Sequence, residues 1–353
     1  MPGWRRGWKV LLVVASIALF VVALKLMQTG ARAIAPVVRE HLNVETAIGA
    51  LGFGWGAAYV LLGGSPVAAT AVTFFDAGQI DQTAAFGMIT GSRLGAAFIV
   101  LLLGFFYVFY HHEPMRDLRI GLLALIVTAT IYLPAFVLGY GALESGLFGP
   151  LTDGPNRLGE ALEGGLVEQV TEKAKEICPP WGTFLAGLLL IMGSFKLFDL
   201  SLPNLDRDDG EIHGIRRYVY RRWPMFALGA LITLLSMSVT ISLGLLVPLH
   251  DRHIVHARHV VPYIMGANIT TFVDTLLATM TMARGGAITI VLVEMGTVTV
   301  ISLLILMFAY PRYEGAMLAA VEWVTASRFN LVVFVIALLT LPLALSLVAL
   351  ALR

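Results

Sequence analysis

The sequence predicts an all-α polytopic membrane protein with two inverted-topology repeats, each containing a re-entrant hairpin or broken helices. Of its 353 residues, 58% are hydrophobic and 13% are charged, whereas a soluble domain has about 25% charged residues. Several apolar stretches approach the roughly 20 residues that a helix needs to cross a bilayer. In addition, one Gly-centred polar break occurs twice, as GMITGSRLGAAF at Gly87–Phe98 and as YIMGANITTFVD at Tyr263–Asp274.

Charge and cysteine content exclude several classes of protein. A net charge of +1 does not supply the basic surface on which nucleic-acid binding depends. The single cysteine, Cys178, cannot form an intrachain disulfide, and no Cys/His cluster predicts a metal site. The sequence also contains no nucleophile–base spacing and no HExxH-type motif. We therefore predict that the protein is not an enzyme, needs no cofactor and binds no metal beyond sodium.

The continuous apolar stretches predict membrane-spanning helices. Trp8–Met27 follows a basic head and is long enough to cross a bilayer, so we interpret it as a retained first helix rather than a signal peptide. Further predicted spans are Leu118–Leu138, Trp181–Leu200, Gly285–Ala309 and Leu331–Leu352.

Two other regions are apolar but interrupted by polar and small residues. They are Thr46–Phe75 followed by Ala84–Phe109, and Phe226–Leu249 followed by Val260–Met282. Gly, Pro, Ser and Thr weaken a helix in the membrane, and the freed backbone groups must be buried in protein or face a polar cavity. These regions therefore predict broken helices around a site.

The order of these features indicates an internal duplication. Gly91 and Gly266 mark the same point of the two polar breaks, and we call their separation along the chain the repeat offset. The same offset places LGGS at Leu62–Ser65 on MSVT at Met237–Thr240 without a gap. The first helices of the two halves align through Lys25 and Lys196, at a slightly smaller separation.

Loop charge predicts that the two halves run in opposite directions through the membrane. Arg5, Arg6 and Lys9 place the N-terminus in the cytoplasm, and the segment Gly141–Pro180, with seven acids and three bases, fits the outside. Arg216, Arg217, Arg221 and Arg222 place the start of the next apolar segment on the cytoplasmic side. We therefore predict an inverted repeat in the cell inner (plasma) membrane. In this prediction, repeat 1 spans residues 1–140 and is followed by an acidic extracellular loop at 141–180. Repeat 2 then spans 181–310, and residues 311–353 form a connecting segment and the final transmembrane helix.

The broken regions allow two topologies. In the simpler one, Thr46–Phe75 is a re-entrant hairpin and Ala84–Phe109 crosses the membrane, with Phe226–Leu249 as the symmetry-related hairpin. In the other, the first segment is a broken span and the second a hairpin.

The chemistry of the breaks indicates anion and cation binding. A helix break exposes N–H donors at one end and carbonyl oxygens at the other, and Arg93 adds a planar donor fork suited to an oxyanion. The predicted substrate-binding residues are Ser65, Gly91, Ser92, Arg93, Ser238, Thr240, Gly266 and Asn268. The predicted sodium-binding residues are Thr70, Ser242, Asn268, Thr270, Thr271 and Asp274.

Structural roles compete with these assignments. Ser and Thr hydroxyls in membrane helices also bond to their own chain or pack between helices. Arg93 could instead form a salt bridge with Asp274 or Glu294, and Glu294 suits either a helix-packing bond or an ion pathway.

These motifs resemble those of the type II sodium–phosphate cotransporter family, which includes bacterial members. GANITT at Gly266–Thr271 and GSRLGA at Gly91–Ala96 are similar to the family's second motif, and SMSVTISLGLLVPL lies where its second QSSS motif belongs. The resemblance implies two inverted repeats, with phosphate held by the motif serines and sodium beside it. The chain departs from the pattern at Leu62 and Met237, which replace the glutamines, and at Arg93, which replaces asparagine.

The predicted function is secondary active transport by alternating access, with sodium-coupled symport of phosphate or a similar small oxyanion. The expected partners are this anion, Na⁺ and the lipid bilayer, and a homodimer is one assembly that the chain could form. The alternative is a degenerate, non-transporting relative that acts as a membrane sensor, a regulatory protein or a lipid-binding protein.

Overall fold

The computed structural model describes residues 3–31, 44–111, 118–146, 166–201, 221–244, 246, 255–282 and 286–351. Nearly all of these residues are helical, and no strand occurs among them. Six of the described helices are long and apolar enough to cross a membrane. The prediction of an all-α membrane protein is thereby confirmed.

The helices follow the predicted apolar stretches, with longer bounds at most ends. They are α1 Gly3–Ala31, α2 Ala47–Val60, α3 Gly64–Asp76, α4 Gln82–His111, α5 Leu118–Glu144, α6 Leu166–Ile177, α7 Pro180–Ser201, α8 Arg222–Ser236, α9 Val239–Gly244, α10 Ala257–Thr270, α11 Val273–Thr279, α12 Ala287–Leu304, α13 Tyr310–Thr325 and α14 Arg328–Ala351. A π-helical turn, Ile305–Ala309, joins α12 to α13.

The packing pairs helices that occupy equivalent positions in the two halves. The first helix, α1, packs along α7, which begins the second half. Within the halves, α2 packs on α4 and α8 packs on α10. α5 lies against both α4 and α12, and the final helix α14 covers α2.

Helix starts recur at the repeat offset found in the sequence. α2 and α8 begin at Ala47 and Arg222, and α3 and α9 at Gly64 and Val239. α4 and α10 begin at Gln82 and Ala257. All three pairs are separated by the same distance along the chain as Gly91 and Gly266.

Close backbone contacts recur at the repeat offset too. A Cβ atom at Gly91 would overlap the carbonyl oxygen of Leu51, and one at Gly266 would overlap that of Phe226. The equivalent pair Gly54 and Gly229 abut the next helix in the same way, at the carbonyl oxygens of Met88 and Tyr263. Glycine at these four positions therefore lets α2 approach α4, and α8 approach α10, at backbone distance.

The helix breaks also share an unusual backbone conformation. Leu62, between α2 and α3, has φ 48°, and Met237, between α8 and α9, has φ 49°. They are the non-glycine residues with positive φ in the described part of the chain, and they occupy equivalent positions in the two halves. A large side chain disfavours this left-handed region. The two breaks are therefore held in place by packing rather than by local preference.

The halves differ in how their helix N-termini are capped. Thr46 accepts a hydrogen bond from Gly49 N at 3.1 Å, and Asp81 Oδ1 accepts one from Ala84 N at 2.6 Å. The equivalent positions, Arg221 and His256, precede α8 and α10 and make no side-chain cap bond among the described residues.

Two segments that the sequence assigned to connections contain helix. Within Gly141–Pro180, α5 continues to Glu144 and α6 forms from Leu166 to Ile177. The segment after 310 is helical to Thr325, because α13 continues from α12 through the π-helical turn. Residues 147–165, Arg216, Arg217 and 247–249, which entered the loop and hairpin predictions, lie outside the described residues.

We expect Gly266→Ala to destabilise the protein. The new Cβ would meet the backbone of α8, and overpacking of this kind costs about 1–3 kcal/mol. Gly296→Ala is the control, because no atom of another described helix lies within 4 Å of the position that its Cβ would take. Alanine is also the better helix former there, by about 1 kcal/mol. Thermal unfolding in detergent compares the two variants. Equal melting temperatures for both would contradict the backbone contact.

Candidate functional site

A cavity of about 220 Å³ lies where the two helix breaks meet. The first break contributes Leu61–Pro66 and the second contributes Met237–Ile241. Helices α4 and α7 complete the wall with Arg93, Ala96, Met192, Phe195 and Lys196. The two interrupted segments, which are far apart in sequence, therefore enclose one space.

The structure divides the predicted substrate-binding residues into two groups. Ser65, Arg93, Ser238 and Thr240 line the cavity. The other four have packing or hydrogen-bonding roles outside its wall. They are Gly91 and Gly266 at the close helix contacts, Ser92, which donates to Ile89 O at 2.7 Å, and Asn268.

Arg93 forms a buried ion pair that joins the two halves of the chain. Its Nη2 lies 2.8 Å from Asp274 Oδ1, and both side chains are 2% exposed. Nη2 also donates to Thr275 Oγ1 at 2.5 Å, and Nη1 donates to Thr271 Oγ1 at 3.4 Å. The guanidinium carbon lies 5.1 Å from the centroid of the Phe272 ring, within cation–π range. Both the ion pair and the ring therefore hold the guanidinium over the start of α11.

Each partner of the ion pair keeps one polar atom unused. Within the described part of the chain, Arg93 Nε and Asp274 Oδ2 have no hydrogen-bond partner. Arg93 lines the cavity between the breaks, whereas Asp274 lines a second, mostly apolar cavity of about 160 Å³. Phe195 and Met237 line both spaces. The ion pair thus lies between two cavities and has spare bonding capacity.

The predicted sodium-binding residues are spread over several contacts. Thr70 donates to Pro66 O at 2.9 Å within its own helix. Ser242 bonds to Thr233 at 2.6 Å and to Tyr263 at 2.9 Å. Thr270 donates to Ala230 O at 2.8 Å.

Thr271 and Asp274 are the members of this set that contact Arg93. The structure therefore brings two of the predicted sodium-binding residues to the predicted anion-binding residue. Among the described residues, no group of three or more His, Cys, Asp or Glu side chains could hold a metal ion.

Asn268, which occupies the position of Arg93 in the second half, is bound to α5. Its Nδ2 donates to Thr128 Oγ1 at 3.1 Å, and its backbone carbonyl accepts from the Tyr132 hydroxyl at 2.8 Å. Thr128 and Tyr132 were not predicted as site residues from the sequence. Their spacing of four within an apolar helix would place both on one face, and buried polar groups need partners, which is the signal that could have found them.

Glu294 is the third buried charged residue near this site. It lies in the middle of α12 and is 1% exposed. It is within electrostatic reach of Arg93 and Tyr132. A guanidinium and two carboxyl groups are therefore gathered in the interior, on helices α4, α11 and α12.

Comparison of the chain with protein-family models, with characterised proteins and with solved structures gives no match.

We expect the Arg93–Asp274 pair to behave as one unit in unfolding. Arg93→Met alone leaves a buried carboxylate and Asp274→Leu alone leaves a buried guanidinium, so each should cost about 3–5 kcal/mol. The double variant should recover most of this loss, because an apolar pair can replace a buried ion pair. Thermal unfolding in detergent gives the coupling from the double-mutant cycle.

The exposed pair of Lys175 and Glu172, 2.6 Å apart on α6, is the control for this cycle. Lys175→Met should change stability by no more than about 1 kcal/mol. Additive losses at Arg93 and Asp274 would show that the two side chains do not depend on each other.

Proposed function

We propose that the protein is a secondary active transporter that moves phosphate or a similar small oxyanion together with sodium by alternating access. The cavity between the two helix breaks is the observation on which this proposal rests. It has a buried guanidinium in its wall, and Arg93 Nε is free of hydrogen bonds to the described residues. An oxyanion is the ligand that such a donor recognises best.

Other donors around the cavity support an anionic ligand. Ser65, Ser238 and Thr240 contribute hydroxyl groups, and Lys196 a second cation. Gly63 precedes α3 and is part of the wall, so the first N–H groups of this 13-residue helix lie at the same space. Backbone N–H groups at a helix start favour negative charge.

The recurrence of helix starts and glycine contacts at the repeat offset supports an inverted repeat as the transport scaffold. Transporters of this architecture bind substrate at the interface between repeats, where discontinuous helices meet. Here the two breaks meet at one cavity, and the Arg93–Asp274 pair separates it from a second cavity. In our proposal, movement of one half against the other exposes the two spaces in turn.

Asp274 is the residue that we assign to the coupling ion. Its Oδ2 has no partner in the described residues, and its side chain lines the second cavity. Thr271 and Thr275 supply neutral oxygens beside it. In this assignment, sodium at Asp274 draws the carboxylate from Arg93 and leaves the guanidinium to the anion.

The non-transporting alternative is favoured by two observations. Asp274 already neutralises the guanidinium of Arg93, and Gly63 and Gly64 carry no hydroxyl groups in the first break. In that case the protein would bind an anion without moving it across the membrane.

Phosphate uptake into vesicles containing the purified protein separates these functions. We expect uptake driven by an inward sodium gradient, and Arg93→Ala should lower phosphate affinity roughly 30-fold or more. A lost buried charge contact costs about 2–5 kcal/mol, and each tenfold change corresponds to about 1.4 kcal/mol. Arg93→Lys should recover part of the affinity, because it keeps the charge but loses the fork.

Ser65→Leu tests the cavity without altering the ion pair, and should block uptake by filling the space. Thr340→Val, at an exposed position on α14, is the matched control and should transport normally. Phosphate binding without uptake would favour the non-transporting alternative. Full phosphate affinity in Arg93→Ala would rule out the anion site.

We expect Asp274→Asn to weaken the sodium dependence of uptake more than the phosphate affinity. The amide keeps an oxygen ligand but loses the charge that attracts the cation. Initial rates measured over a range of sodium concentrations, at saturating phosphate, give the change. An unaltered sodium response in this variant would leave Asp274 as the structural partner of Arg93 alone.

A further inference from the structure

Glu294 has the environment of a neutral carboxyl group. It is 1% exposed in an α12 segment of TIVLVEMGTV, and neither carboxylate oxygen has a hydrogen-bond partner among the described residues. Thr90 lies beside it, but the Thr90 hydroxyl donates its proton to Phe86 O at 3.0 Å. Within the described part of the chain, no donor therefore makes a hydrogen bond to the Glu294 carboxyl group.

An ionised carboxylate in this position would be strongly unfavourable. Burial of an unpaired charge costs several kcal/mol even after relaxation, and the surrounding helix lies in a membrane span. The nearby cation, Arg93, directs its Nη2 to Asp274 at 2.8 Å. One guanidinium paired with one carboxylate is neutral, and a second ionised carboxylate would leave the interior with a net negative charge. This arrangement therefore favours the protonated form of Glu294.

The titratable groups around Glu294 come from each helix packed on α12. Arg93 from α4 and Tyr132 from α5 are in electrostatic contact with it, and Asp274 from α11 interacts with both of them. The remaining titratable side chains that the structure describes on α3, α4, α5 and α10 are Asp76, Arg119, Tyr140, Glu144, Arg258, His259 and Tyr263.

We propose that Glu294 is the binding site for a proton that enters and leaves the interior together with the anion at Arg93. This inference rests on the proposed anion site and adds a second, protonic ligand to it. Ionisation of Glu294 would place negative charge within reach of Arg93 and repel an anion there. Reciprocally, an anion at Arg93 favours the protonated form of Glu294, because linkage between two binding sites acts in both directions.

The proton balance of this step is simple. At a pH where Glu294 is ionised before the anion binds, one of its carboxylate oxygens takes a proton from water on that side of the membrane as the anion binds, and forms an O–H bond. As the anion leaves, this bond breaks and the proton returns to water on the side of release. Neither step changes an oxidation state.

Infrared spectroscopy of the detergent-purified protein tests the proton directly. A protonated carboxyl group gives a carbonyl stretching band separate from those of carboxylates and amides. We expect this band in the wild-type protein at acid pH without any anion present, and we expect its loss in Glu294→Gln. Asp274→Asn should keep it. Absence of the band from the wild-type protein across the pH range would overturn the proposal.

Phosphate affinity as a function of pH tests the linkage. Coupling between sites is typically about 5–150-fold in affinity, so wild-type affinity should fall by a factor in this range as Glu294 ionises at rising pH. At every pH, Glu294→Gln should have the phosphate affinity that the wild-type protein has at acid pH. Phosphate itself also changes its protonation over this pH range, but this change affects both proteins equally. The ratio of the two affinities therefore reports the ionisation of Glu294.

Two further variants protect this test against a folding defect. Glu294→Asp keeps a titratable group and should keep a pH-dependent affinity with a displaced midpoint. Glu322→Gln, at an exposed position on α13, should match the wild type. Affinities of wild type and Glu294→Gln that stay in a constant ratio at every pH would overturn the linkage. If neither protein binds phosphate, the proposed function and the linkage both fail, while the infrared band still decides whether Glu294 holds a proton.

Discussion

A single guanidinium in an apolar interior constrains the rest of this structure. Arg93 is 2% exposed, and a charge so buried must be neutralised within contact distance. The partner, Asp274, follows the second polar break, in the other half of the chain. The ion pair can form only if the two interrupted segments lie next to each other inside the protein. The cavity between the breaks and the buried Glu294 both lie beside this pair.

The glycines at the helix contacts make this approach possible. At Gly91 and Gly266 the backbone of the neighbouring helix occupies the space that a side chain would need. The helices beside each break can therefore pack closely. The left-handed conformation of Leu62 and Met237 then ends the helix without a glycine. Conformations of this kind cost about 1–3 kcal/mol and persist only where the surroundings fix them, commonly at functional sites. Each break therefore has closely packed helices around it and a strained backbone conformation at Leu62 or Met237.

The sequence predicted the helices well because the apolar stretches and their interruptions are strong signals. The repeat offset, found from Gly91 and Gly266, recurs in the helix starts and in the glycine contacts. The partner of Arg93 remained open between Asp274 and Glu294, because rotation about the helix axes decides which carboxylate is reached. The sequence could not place Thr275 or Tyr132 at the site either, since their roles depend on contacts between distant helices.

Helix α6 and the helical segment Tyr310–Thr325 were missed for a different reason. Both helices lie in or next to stretches with charged residues, and we predicted that such stretches connect the membrane-spanning helices. Charged residues on one face do not prevent a helix, and in α13 the chain simply continues from the preceding span.

The difference in capping between the halves shows that the two interrupted segments agree in position more than in side chains. Thr46 and Asp81 cap helices in the first half, whereas Arg221 and His256 occupy the same positions in the second half and make no side-chain cap bond to the described residues. In a dimer of identical chains, every substitution would appear in both halves of the assembly. Within one polypeptide, the side chains of each segment can differ while the helix starts keep the same offset. One segment can therefore place Arg93 at the centre and the other Asn268, while both keep the same positions of their helix starts.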